Sequence, residues 1–132
     1  MSAAQALLAA IVGRLQSDPA LTAAIGPAGV HDRLLPRPQL PCIVLGEMET
    51  RGIPADGGAG EEHVLTLEIW SDGEGRRKGQ EIAGQVHTLL HEADLELQAS
   101  VLVNLRAISL RTKREPKTKF YLAELRLRAV TE

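Results

Sequence analysis

Apolar and polar residues alternate through Leu65, Thr66, Leu67, Glu68 and Ile69. That two-residue period belongs to a strand with one face buried. Glycines at 73 and 75 break the pattern, and the period then changes. Ile82, Val86, Leu89, Leu90 and Ala93 recur at steps of three and four, which predicts one apolar face of a helix. Upstream, Leu7, Leu8, Ile11 and Leu15 predict a first helix over residues 3–16. Asp18 before Pro19 reads as an N-cap and first-turn pair, since a proline at that point leaves no N–H unsatisfied. The short helix they open closes at Gly26 and Pro27.

The apolar run 42–45 predicts a strand over residues 41–50, and residues 30–35 a shorter one. Prolines at 36, 38 and 41 hold the segment between them extended. Residues 52–60 hold Gly, Pro, Asp and Ala without periodicity and read as a mobile loop. Residues 94–100 read as a connection. Residues 101–114 and 118–131 then predict a hairpin around Glu115 and Pro116. In its second strand Ala123, Leu125, Leu127 and Ala129 alternate with Glu124, Arg126 and Arg128, a pattern with one buried face. The expected fold class is α+β, a four- to five-stranded, mostly antiparallel sheet with its helices largely on one face. The strand at Leu65, the helix and the hairpin make a β-α-β-β run, whose crossover is right-handed if it joins parallel strands.

At 132 residues the chain is expected to be one domain, residues 1–132. Aromatics make up only 2%, so the core rests on Leu, Ile, Val and Ala, and contacts between copies would supplement it. A net charge of -2 argues against nucleic-acid binding by the whole molecule. The charge is unevenly placed, however. Residues 47–74 carry eight acids against Arg51 alone, and residues 106–128 carry eight bases against two acids. Such separation suits binding to further copies or to a stacked neighbour. Cys42 is the lone cysteine, which excludes an intramolecular disulfide and fits a reducing compartment. No Lys or Arg precedes the apolar run 3–12, so a signal peptide is not expected, and the run is too short to span a bilayer.

Candidate chemistry is sparse. His87 and His91 are four apart on the predicted helix, a metal-ligand spacing, but Thr88 stands where a zincin has Glu and no third ligand is evident. Both histidines fall beyond the apolar stripe and read as solvated or interfacial. Gly73, Gly75 and Gly79 lie between strand and helix, yet Lys78 replaces the third glycine of a dinucleotide fingerprint, and Asp72 and Glu74 would repel phosphate. Cys42, between Pro41 and Ile43, reads as a buried structural thiol. No G-x-S-x-G signature appears. The segment PRPQLP lies between two apolar strands and reads as a rigid internal connection rather than a polyproline ligand. The most prominent charge run is the basic hairpin tip: Arg111, Lys113, Arg114, Lys117 and Lys119. Adjacent Phe120 and Tyr121 point to opposite faces, which weakens a stacking role on single-stranded nucleic acid.

In element order and length the chain resembles the tail-completion, or tail-terminator, proteins of long-tailed bacteriophages and related gene transfer agents. The resemblance is carried by QALLAAIVGRL, DPALTAAIG, LPCIVLGE, HVLTLEIWS, GQEIAGQVHTLLH, VLVNLRAISLRTKRE and KFYLAELRLRAVTE. The glycine-rich residues 52–60 and Gly84 depart from that pattern. The resemblance implies a structural virion protein without enzymatic activity or cofactor. It implies a homo-oligomeric ring of about six subunits at the head-proximal end of the tail, assembled in the bacterial cytoplasm. The implied partners are the tail tube protein, the head-side connector or stopper protein, and double-stranded DNA passing without sequence reading; no membrane is involved. Arg111, Lys113, Arg114, Lys117 and Lys119, with Glu61 and Glu62 from the acidic region, are the expected interface residues. Two other readings stand beside it: a small cytoplasmic nucleic-acid-binding α/β module using the basic hairpin, and a small hydrolase whose site assembles only in space.

Overall fold

The computed structural model describes residues 1–55, 58–73 and 75–132. Helix α1, Ala3–Gln16, starts at a reciprocal cap: Gln5 N–H donates to Ser2 Oγ at 3.1 Å, and Ser2 N–H donates to Gln5 Oε1 at 2.9 Å. Helix α2, Pro19–Ile25, is capped by the Asp18 carboxylate, which accepts from Leu21 N–H at 2.9 Å. Strands β1 (Val30–His31), β2 (Cys42–Ala55) and β3 (Gly58–Ser71) follow, then α3 (Arg77–Leu90), β4 (Leu102–Arg114) and β5 (Tyr121–Thr131).

The five strands form one sheet in the order β1-β2-β3-β5-β4. Only the β1–β2 pair is parallel; the other three are antiparallel. Since β3 and β4 both run against β5, they are parallel to each other with β5 inserted between them. The expected β-α-β-β run is therefore a split crossover. Every odd residue of β3 from His63 to Ile69 is buried, and so are Ala123, Leu125, Leu127 and Ala129 of β5. Leu7, Ile11 and Leu15 of α1, Leu21 of α2, and Ile82, Ala83, Val86 and Leu90 of α3 close over that face in one aliphatic core. All three helices thus lie on one side, as the patterning requires. Removing a fully enclosed side chain such as Leu67 leaves a cavity costing about 2–5 kcal/mol.

The opposite face is covered only at one end. Leu34 and Leu40, from the proline-rich connection, pack there with Phe120 against Cys42, Val44, Trp70 and Leu122. Cys42 is buried, and burial pushes its thiol above the ordinary value of 9.0. Gly79 explains the close seat of α3 on the sheet: a Cβ there would lie 3.3 Å from Ser71 Oγ and 3.7 Å from Ala123 Cβ.

Two expectations need correction. Residues 30–35 supply just a two-residue strand. Residues 52–60 are not a loop where they are described: Gly52 pairs with Glu61, Ile53 with Gly60, Pro54 with Ala59 and Ala55 with Gly58. Asp56 and Gly57 lie outside the described residues. Toward its far end the β2–β3 hairpin is mostly open to solvent: Gly52, Pro54, Gly58 and Ala59 are exposed, Ile53 is half-buried and Gly60 is buried. Backbone pairing without burial leaves no hydrophobic period to read.

Near that end His63 ties three strands together. Its Nδ1 lies 2.8 Å from Thr50 Oγ1 and its Nε2 lies 2.9 Å from Thr131 Oγ1, with the ring fully buried. Burial lowers its pKa from 6.5, against a smaller opposing effect of Glu61. The folded state therefore binds the proton less readily than the unfolded chain. Its stabilising contribution is complete above about pH 6.5 and is lost as pH falls through the lower folded value. Urea unfolding followed from about pH 7.5 to 5 should show stability declining, with a shallower decline in His63→Gln. An identical pH slope in the two proteins would refute this assignment.

Two glycines give a matched test of packing. A Cβ at Gly29 would sit 2.3 Å from the Ile25 carbonyl oxygen, so Gly29→Ala should destabilise by about 1–3 kcal/mol. At Gly84, inside α3, a Cβ meets nothing within 4 Å, and Gly84→Ala should stabilise by about 0.4–1 kcal/mol. Thermal melts of the two variants check both signs.

Candidate functional site

The charged residues sort by sheet edge. On the face away from the helices, Glu47, Glu49 and Arg51 lie on β2, Glu62 and Glu68 on β3, Glu124, Arg126 and Arg128 on β5, and Arg106, Arg111 and Lys113 on β4. Acid thus gathers toward the β2 margin and base toward the β4 margin. The charge separation seen in the sequence becomes a gradient across the sheet.

The basic tip is an ordered turn. Glu115 N–H donates to the Phe120 carbonyl and Lys119 N–H donates to the Glu115 carbonyl, each at 2.8 Å. The Glu115 carboxylate accepts from Thr118 N–H at 2.6 Å and from Thr118 Oγ1 at 2.8 Å. Those two bonds hold the carboxyl below its ordinary range. Lys119 takes a left-handed backbone conformation with φ 62°. Arg111, Arg114, Lys117 and Lys119 are exposed and form no ion pair with any described residue. Lys113 reaches Glu124 at 3.6 Å within the same hairpin.

Glu61 and Glu62, the acids expected with this tip at a contact between subunits, lie at the far end of the sheet from it within one subunit. Glu61 pairs with Thr131, at the opposite end of β5 from Tyr121, roughly 33 Å away at the rise of an extended strand. Tip and acids therefore do not meet within one subunit. Glu62 is engaged inside the chain: Arg51 Nε donates to its Oε1 at 2.7 Å and Arg128 Nε to its Oε2 at 2.6 Å. These hydrogen bonds, more than simple charge proximity, hold the Glu62 carboxyl below the ordinary range. Half-buried Glu61 and exposed Asp72 form no ion pair with a described residue, and neither do the exposed Glu47 and Glu49. The sequence signal for them was their two-residue spacing immediately after an apolar strand run.

The same face holds a shallow depression of about 640 Å³ lined by Glu47, Glu49, Arg51, Glu62, Thr66 and Arg126 among others. Its acid with a displaced pKa is already neutralised by two arginines, which suits a strut between strands better than general acid–base chemistry. His87 and His91 stack with centroids 4.7 Å apart, and Nδ1 of His91 accepts from Ala107 N–H at 3.0 Å. No cluster of three metal-ligating side chains occurs among the described residues. Phe120 packs, partly buried, against the smaller core, which leaves it little surface for stacking.

Comparison with known proteins places this geometry. No curated protein matches the chain in sequence. A chain of the solved structure described as "Virion of native gene transfer agent (GTA) particle" matches with a TM-score of 0.88 and 29% identity, covering 99% of this chain and 98% of that one. Residues 9–132 match the family described as Tail completion protein gp17. A charged, strand-edged subunit of this shape therefore belongs to the tail completion protein gp17 family, which is a family of structural phage tail proteins and not of enzymes.

Proposed function

We propose that this chain completes the tail as a closed ring of about six copies at its head-proximal end. There it stops tube growth and provides the surface that joins the tail to the head-side connector. Its place in the virion and its role as a structural tail protein follow from the family and from the likeness to a virion subunit. The ring reading is supported by the opposed charge of the two sheet edges, a head-to-tail complementarity of the kind that cyclic assemblies use. In this reading double-stranded DNA passes through the opening without base recognition, and the tube protein and the connector meet opposite rims of the ring. The rigid basic turn of Lys117 and Lys119 is available for such a rim contact, where each exposed pair contributes only ~0.2–1 kcal/mol.

Removing the gene and imaging the products tests this directly. The expected result is tails without a defined upper end, of variable length, with heads left unjoined. Lys117→Glu with Lys119→Glu should reduce head joining while leaving the monomer's melting temperature nearly unchanged. Normal, joined tails in the absence of the protein would contradict the proposal.

A further inference from the structure

The sheet has two margins, and each is blocked over part of its length. On β4 the outward groups of Leu105 and Ala107 are already bonded. The Leu105 carbonyl accepts from Glu92 N–H at 2.8 Å, and Ala107 N–H donates to His91 at 3.0 Å. A bulge between Ala107 and Ser109 ends that capped stretch. Glu115 donates its N–H to Phe120, so by alternation the amides of Arg111 and Lys113 point to β5 and those of Leu110, Thr112 and Arg114 point outward. Among the described residues nothing pairs with them. On β2, strand β1 covers only Ile43 and Val44, and the outer margin from Leu45 to Ala55 is likewise unpaired.

We propose that the free half of β4, from Ser109 to Arg114, adds as an antiparallel strand to the free margin of β2 in the next copy of this chain. This rests on the ring reading above and specifies its contact. Three observations carry it. Strand direction fits: β2 runs against β3, β3 against β5 and β5 against β4, so β2 and β4 are antiparallel. Within one subunit Ser109–Arg114 lies level with the β1-covered start of β2, so a neighbour in the same orientation but shifted along the strands, far enough to clear β1, continues the alternation across the seam. Charge fits: on the face away from the helices Arg111 and Lys113 stand on one margin and Glu47 and Glu49 on the other, with Arg114 adding base to the same margin on the opposite face. Exposed aliphatic surface fits as well, since Ile108 and Leu110 are 47% and 48% exposed beside the open amides. An edge of that kind invites pairing unless it is covered. The contact is heterologous, so repetition excludes a two-fold dimer and makes a ring where the rotation per copy closes, as the ring reading requires.

The charge arrangement provides a sharp test in tails assembled in cells. The variant Arg111→Glu, Arg114→Glu makes both margins acidic, and Glu47→Arg, Glu49→Arg makes both basic. All four side chains are exposed, so each variant should keep its circular dichroism and melting temperature. Each alone should lower the count of ring-capped tails about tenfold, and co-expression should restore it through alternating rings. The variant Thr112→Pro removes an outward amide at an edge position and should stay folded yet fail to close rings. Normal rings from any of these variants, or folded variants that fail to rescue one another, would overturn the strand pairing. A wild-type protein that forms no ring in any assembled tail would instead overturn the ring reading beneath it.

Discussion

The burial of one face of a four-stranded antiparallel core under three helices is the constraint on which everything else in this protein depends. With so few aromatic residues, the contact is made by branched aliphatics stacked in rows: Leu65, Leu67 and Ile69 beside Leu125 and Leu127, beneath Ile11, Ile82 and Val86. Because the side-chain period of a strand is two, that burial also dictates what the other face presents. The residues between those buried under the helices point away from them, and beyond the smaller cluster of Cys42, Val44, Trp70 and Leu122 many of them are charged. The proposed interaction surface is thus a by-product of the same alternation that makes the core.

How that surface is used depends on which groups are already satisfied. Arg51, Glu62 and Arg128 form a closed cluster across three strands, and His63 bridges the same three on the opposite face. These contacts stiffen the hairpin end where no helix lies. Beside them the unpaired margins carry opposite charge and open backbone groups. In the proposed assembly, edges complementary to each other rather than to themselves make a head-to-tail contact, which a two-fold dimer cannot use.

Much of this was legible in the sequence. The bounds of α1 follow from Leu7, Ile11 and Leu15, and those of α2 from Asp18, Pro19 and Gly26, because capping and helical periodicity are local signals. The hairpin at Glu115 was legible for the same reason. The extension of the β2–β3 hairpin was not, since Gly52, Pro54, Ala59 and Gly60 pair through the backbone and all but Gly60 are exposed, which leaves no apolar period to read. The basic tip could be read from the sequence, but not the partners of the acids. Which of Glu47, Glu49, Glu61 and Glu62 is engaged depends on Arg128, 66 positions from Glu62 and brought beside it only by the sheet. The capping of β4 by His91 was equally hidden, because a histidine accepting a strand amide leaves no mark on spacing.

The most direct measurement is a high-resolution image of the assembled particle at the junction of head and tail. The account predicts a closed ring of about six copies there, each with β4 lying beside β2 of its neighbour. A single copy at that position, copies distributed along the tube, or a ring whose neighbours meet through their helices would contradict it.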